Sequence, residues 1–165
     1  MKKSIPANHK ERFFFHFTHM NNLESILKHG ILCTNKKDEL KIKHFNVAAN
    51  TIQERRSSMD VTCGPEGKVH DYVPFYFTAV NPMFLRLVNT KNVDQHLMLY
   101  FAISIDKLLG KNCVFTDASA NTAIPPNFYS NPDDLDKLDW SAIDSRKWKC
   151  ANQDEMHRRM EWPKC

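Results

Sequence analysis

The sequence predicts an α/β chain of the α+β kind, and three observations carry that expectation. Residues 13–17, FFFHF, put four phenylalanines in five positions, which suits a pleated, mostly buried strand better than a helix. Residues 97–105, LMLYFAISI, form the most apolar run in the chain, with the length and the aromatic and β-branched content of a central strand. Between and after these runs lie short apolar-striped stretches with helix punctuation. With 165 residues, 42% hydrophobic and 25% charged, the chain is large enough to bury a core as one domain.

The first strand, Phe13 to Phe17, contains His16. HMNNLESILKHGIL follows as a short helix: Asn21 and Glu24 can form a capping box, Leu23, Ile26 and Leu27 supply the buried stripe, and Gly30 suits the left-handed stop. The run NKKDELKIK from Asn35 has charge without apolar period, the mark of a solvated loop or helix face, and it can also meet phosphates. Val47, Ile52 and Arg56 are spaced for a helix over 47–58. GPEG at 64–67 reads as a turn, and Tyr72 to Phe77 as extended, with Pro74 confining it to an edge or a bulge. Asn81-Pro82-Met83 opens a turn and a short helix through Leu87. After the second strand, Asp106 can cap a single helical turn to Leu109, Cys113 to Thr116 returns as a strand, and Asp117 to Ser130 is a polar loop. Leu135, Leu138 and Ile143 give an apolar stripe to a helix starting near 131–133, with Trp140 and Trp148 as large anchors.

The net charge of +4 permits an anionic partner without demanding one. The basic N-terminus, MKKSIPANHKERFFFHF, has an apolar run too short and too broken by charge for a signal peptide or a membrane span, so a cytoplasmic protein without membrane attachment is expected. Five scattered cysteines (Cys33, Cys63, Cys113, Cys150 and Cys165) are expected to be free thiols. No C-x-x-C occurs and no Cys/His spacing completes a four-ligand set, so no metal is expected.

Adjacent Arg55 and Arg56 cannot face the same way on a helix, so at most one enters a shared pocket. A guanidinium offers a planar fork of donors for phosphate, and the aromatic run that follows can wall a pocket for flat rings. That combination suggests a nucleotide ligand; the alternative is a pair on a solvated helix face. His16 is either a core histidine bonded to backbone or a site residue. Glu161, between Arg158-Arg159 and Trp162-Pro163, is a carboxylate kept ionised, either a hydrogen-bond acceptor in a site or a surface ion pair.

Taken together, HFTHMNNLESILKHGIL, TIQERRSS, VHDYVPFYF with NPM, VFTD, LDWSAI and RRMEW resemble, in order and spacing, the DarT family of DNA ADP-ribosyltransferase toxins. The resemblance covers nearly the whole chain. It implies a mono-ADP-ribosyltransferase-like fold, a central mixed sheet with flanking short helices, over residues 1–165, with the family's closing strands expected to be lacking after Trp162-Pro163. It also implies NAD as substrate, without a metal, and transfer of ADP-ribose to a base in single-stranded DNA, typically thymidine. By resemblance Arg56 and Glu161 are the catalytic positions, and His16, Thr18, Asn22, Arg56, Tyr76 and Met83 are cofactor-binding, with His16 at the NAD ribose and Tyr76 and Met83 near the nicotinamide side. Ser119 stands where the family usually has a histidine. The implied partners are single-stranded DNA and a macrodomain antitoxin, and the implied state is a monomer. Rival readings are a remnant that only binds NAD or single-stranded nucleic acid, and a transferase acting on RNA or protein.

Overall fold

Backbone pairing between the two most apolar runs sets the architecture. The structure, a computed structural model, describes residues 5–47, 50–90, 93–109, 112–120 and 125–145; Trp148, Cys150, Cys165 and Glu161 lie outside them. Strand β1 (Phe13–His19) pairs antiparallel with β2 (Met98–Ser104), from Phe13 opposite Ser104 to His19 opposite Met98. The strand thus runs two residues past the predicted Phe13–Phe17, because Thr18 and His19 find partners in Leu99 and Met98. A second pair joins β3 (Phe115–Thr116), inside the strand expected over Cys113–Thr116, to β4 (Phe128–Tyr129), inside the stretch Asp117–Ser130 expected to be a loop. The class is mixed α/β as expected, but where a central mixed sheet was anticipated the described residues form two small antiparallel ribbons.

Among the described residues six short α-helices surround them: α1 (Leu23–His29), α2 (Thr34–Glu39), α3 (Asn50–Ser58), α4 (Pro82–Asn89), α5 (Ile105–Leu108) and α6 (Trp140–Asp144). The start of α1 departs from the expected capping box. A 3-10 turn over Met20–Asn22 precedes it, the His19 ring accepts the Asn21 N–H, and Asn22 makes no side-chain cap. Its stripe is narrower than expected, since Leu27 is 78% exposed. Gly30 ends it at φ +80°, the left-handed region that glycine enters without a Cβ penalty. Asn81 caps α4 by accepting the Phe84 N–H at 2.9 Å, with Pro82 in the first turn. The helix expected from 131–133 is instead a 3-10 turn over Pro132–Lys137 followed by α6, which Asp139 caps.

Phe14 and Phe17 are of opposite parity in β1 and feed opposite faces. Phe14 joins Ile105, Leu109, Phe115, Leu135, Leu138 and Ile143, so the predicted Leu135/Leu138/Ile143 stripe is buried. Phe17 joins Tyr76 and Leu87, with Met83, Phe84 and Val47 packed alongside. The segment before β1 is tied to α6: Arg12 donates two 2.8 Å bonds to Asp144 and lies 3.8 Å over the Trp140 ring. Cys33, Cys63 and Cys113 are free thiols. No helix of the described residues is long and apolar enough to cross a membrane.

Candidate active site

A cleft of about 400 Å³ opens along β1, between α1, the irregular segment 42–47, α3 and the extended segment 72–77. It is lined by His16, Thr18, Asn22, Arg56, Tyr76 and Met83, so the six described positions singled out in the sequence meet around one space. The seventh, Glu161, lies outside the described residues.

Helix α3 decides which arginine enters. Ile52 is buried at 8% exposure, and Arg56, four residues later on the same face, turns into the cleft while Arg55 is exposed. The Arg56 Nε is buried and has no hydrogen-bond partner among the described residues. One turn earlier, Gln53 accepts a 3.0 Å hydrogen bond from Nε2 of His70. Burial, and then the Arg56 charge, hold the His70 pKa below its ordinary value, so that ring is neutral beside the guanidinium.

His16 donates from Nδ1 to the carbonyl of Pro74 at 2.8 Å, which leaves Nε2 as an acceptor. Burial lowers its pKa; the Pro74 bond opposes that and nearby Lys37 adds to it. The segment that supplies Pro74 is fixed by Tyr76, whose N–H and carbonyl exchange bonds of 2.7 and 2.8 Å with Phe15. The Tyr76 ring stacks on Phe17 with centroids 5.2 Å apart, and Met83 fills in beside them. Thr18 and Asn22 face each other, with Asn22 Nδ2 donating to Thr18 Oγ1 at 3.0 Å.

Several lining residues were not singled out in the sequence. Lys37 belongs to the charged run read as a solvated loop or helix face that can also meet phosphates; it lines the cleft, and burial lowers its pKa. His44, Gln53 and His70 line it too. No aspartate or glutamate does among the described residues, so the lining offers Lys37 and Arg56 as cations with no anion to match them. Such a space suits a ligand carrying negative charge. Among the described residues no group of His, Cys, Asp and Glu is placed to hold a metal ion. Beyond the cleft, Asp117 clamps the loop that carries Ser119 by accepting from Asn127 N and Nδ2 at 2.9 and 2.6 Å, and Ser119 itself is buried.

The family model described as DarT, ssDNA thymidine ADP-ribosyltransferase, matches residues 15–161. The chain belongs to the DarT family. A DNA ADP-ribosyl transferase of Thermus aquaticus is 34% identical over 139 residues, covering 81% of this chain and 61% of that protein. The solved structure of Thermus sp. 2.9 DarT in complex with ADP-ribosylated ssDNA superposes with a TM-score of 0.77 at 31% identity, over 96% of this chain and 75% of that one. The same DarT in complex with NAD+ gives 0.73 at 27%, over 96% and 74%. The chain thus spans 61% of the Thermus aquaticus relative and about three quarters of the solved DarT chain.

Proposed function

We propose that this chain is an NAD-dependent mono-ADP-ribosyltransferase that modifies a thymine base in single-stranded DNA, acts as a toxin in the cytoplasm as a monomer, and is opposed by a macrodomain antitoxin. The observation that carries the reading is Arg56: a guanidinium whose Nε is buried without a partner among the described residues, in a cleft whose described lining has no acidic residue. An unmatched buried donor is costly unless a ligand completes it. Family membership and the Thermus sp. 2.9 DarT complexes with NAD+ and with ADP-ribosylated ssDNA support the same ligands.

In this reading NAD lies along the β1 side of the cleft, with His16 Nε2 and the Thr18 hydroxyl toward the ribose and Tyr76 and Met83 toward the nicotinamide. The C–N glycosidic bond breaks, nicotinamide leaves as a neutral molecule, and positive charge develops on the ribose. The Glu161 carboxylate accepts a hydrogen bond from a ribose hydroxyl and opposes that charge. The acceptor nitrogen of thymine loses its proton to solvent and bonds to the ribose carbon; Arg56 stabilises the negative charge on the base. The products are ADP-ribosylated DNA, nicotinamide and a proton.

Incubation with labelled NAD and separate pools of single-stranded DNA, RNA and protein tests this. Label is expected only in thymidine-containing DNA. Label in RNA or protein moves the chemistry to another acceptor, and NAD binding without any transfer identifies a binding remnant.

A further inference from the structure

The structure assigns Asn22 a different task from touching the ligand: we propose that it is a positioning residue that clamps segment 42–47 as one wall of the NAD site. This rests on the functional reading above for the identity of the ligand, and on the hydrogen-bond geometry for everything else. The Asn22 Oδ1 accepts the Phe45 N–H at 2.7 Å, and its Nδ2 donates to the Phe45 carbonyl and to Thr18 Oγ1, each at 3.0 Å.

A side-chain amide has two N–H donors, and both are used here. Asn22 therefore cannot donate to a ligand without releasing Phe45 or Thr18. The side chain is also 8% exposed, against 42% for the Phe45 it holds. An amide that satisfies both the N–H and the C=O of one residue does what a strand partner would do. Phe45 sits in a stretch without helix or strand, where such a partner is otherwise wanting. The His19 ring stacks under Phe45 at 4.1 Å, so the residue is held from below as well as through its backbone. His44, Phe45, Asn46 and Val47 all line the cleft.

The clamp has a second consequence. Thr18 Oγ1 accepts from Asn22, so the hydroxyl proton is left to donate elsewhere, and Thr18 lines the cleft. One amide thus fixes the wall and the direction of a hydroxyl donor. The motif stretch Thr18, His19 and Asn22 acts as a latch for a segment more than twenty residues downstream.

Hydrogen exchange of the Phe45 amide in ligand-free protein reads the clamp without reference to any ligand. In Asn22→Ala its protection is expected to fall at least tenfold, while β1 amides paired with β2 keep theirs. Calorimetric titration with NAD is expected to show Kd raised about tenfold, and steady-state transfer to show KM for NAD raised with kcat within about threefold, since the reacting groups are untouched. Asn22→Asp keeps one acceptor for the Phe45 N–H but turns a carboxylate toward the Phe45 carbonyl, so it should also lose protection at Phe45; its equal volume keeps the test open if the alanine variant does not fold. Unchanged Phe45 protection in a folded Asn22 variant overturns the clamp. Lost NAD affinity with Phe45 protection intact makes Asn22 a direct ligand contact instead. If the wild type binds no NAD, the functional reading fails, and the exchange result still decides the clamp.

Discussion

Replacing Arg56 by alanine should separate activity from stability in an unusual direction. In the free protein the Arg56 Nε is buried without a partner among the described residues, and a buried donor left unmatched costs about 1–3 kcal/mol. Deleting it removes that cost while giving up the packing of the side-chain stem, so the melting temperature should stay close to wild type or rise. Transfer should behave otherwise. A hydrogen bond from a charged donor is worth about 1.5–3 kcal/mol, and losing one preorganised donor to a developing negative charge costs roughly 10²–10³ in rate. Arg56→Ala is therefore expected to fall by about two to three orders of magnitude in single-turnover transfer to a thymidine-rich oligonucleotide. Arg55→Ala, on the exposed side of α3, should stay within about twofold. Arg56→Lys keeps the charge but not the planar fork and should recover only part of the loss. Thermal melting run beside the transfer assay decides the matter. Equal losses at both arginines, or a large drop in melting temperature in Arg56→Ala, would refute the assignment of a ligand arm.

Two further predictions follow from charge. Burial holds the His16 pKa below 6.5, and His44 and His70 are lowered in the same direction, so the unfolded chain binds more protons than the folded one as pH falls through 6.5. The stability these three rings contribute should then be complete at neutrality and decline on acidification below that point; melting curves from neutral to acid pH should show it, with a shallower decline in His16→Gln, and a melting temperature that does not change over that range would contradict it. Glu161→Gln is expected to leave NAD affinity within about threefold and to lower transfer by roughly two to four orders of magnitude, measured by calorimetry and single turnover; full transfer in that variant would end its catalytic assignment.

The sequence revealed those parts of the fold and site that local pattern controls. Four phenylalanines in five positions marked β1, and the adjacency of Arg55 and Arg56 was enough to say that only one could enter a pocket. The ends of β1 were not legible, because Thr18 and His19 are held in the strand by Leu99 and Met98, some eighty residues away. Spacing alone puts Leu27 in the buried stripe, but burial depends on what packs against the seven-residue α1, and among the described residues Leu27 is left 78% exposed. Which lysine of the 35–43 run turns inward was not legible either. The inward side of α2 is chosen by contacts such as Asn35 Nδ2 to Asp71 at 2.6 Å, which no charge pattern within NKKDELKIK announces. Asn22 was visible as a motif residue, but two of its three bonds go to Phe45, in a segment that has no periodicity to read.

The composition of the cleft lining narrows where the missing carboxylate can come from. Cleaving the glycosidic bond of NAD calls for a negative group near the ribose, yet the described lining is cationic and aromatic. Asp71 is nearby in sequence to the lining His70 and Tyr72, but it is spent: it accepts the Lys68 N–H at 2.8 Å and the Asn35 amide at 2.6 Å, and those bonds hold its pKa low. Asp60 is likewise paired, with Lys68 at 2.6 Å. Outside the described residues the chain has three acidic side chains, Asp154, Glu155 and Glu161. The family match extends through 161, and Glu161, in the RRMEW stretch, is the one of the three that we propose as the catalytic carboxylate. Asp154→Asn and Glu155→Gln are therefore the controls that give the Glu161→Gln result its meaning. Each removes one negative charge from the same stretch, so a loss of transfer shared by all three would report only a change in net charge, whereas a loss confined to Glu161 identifies the group that faces the ribose.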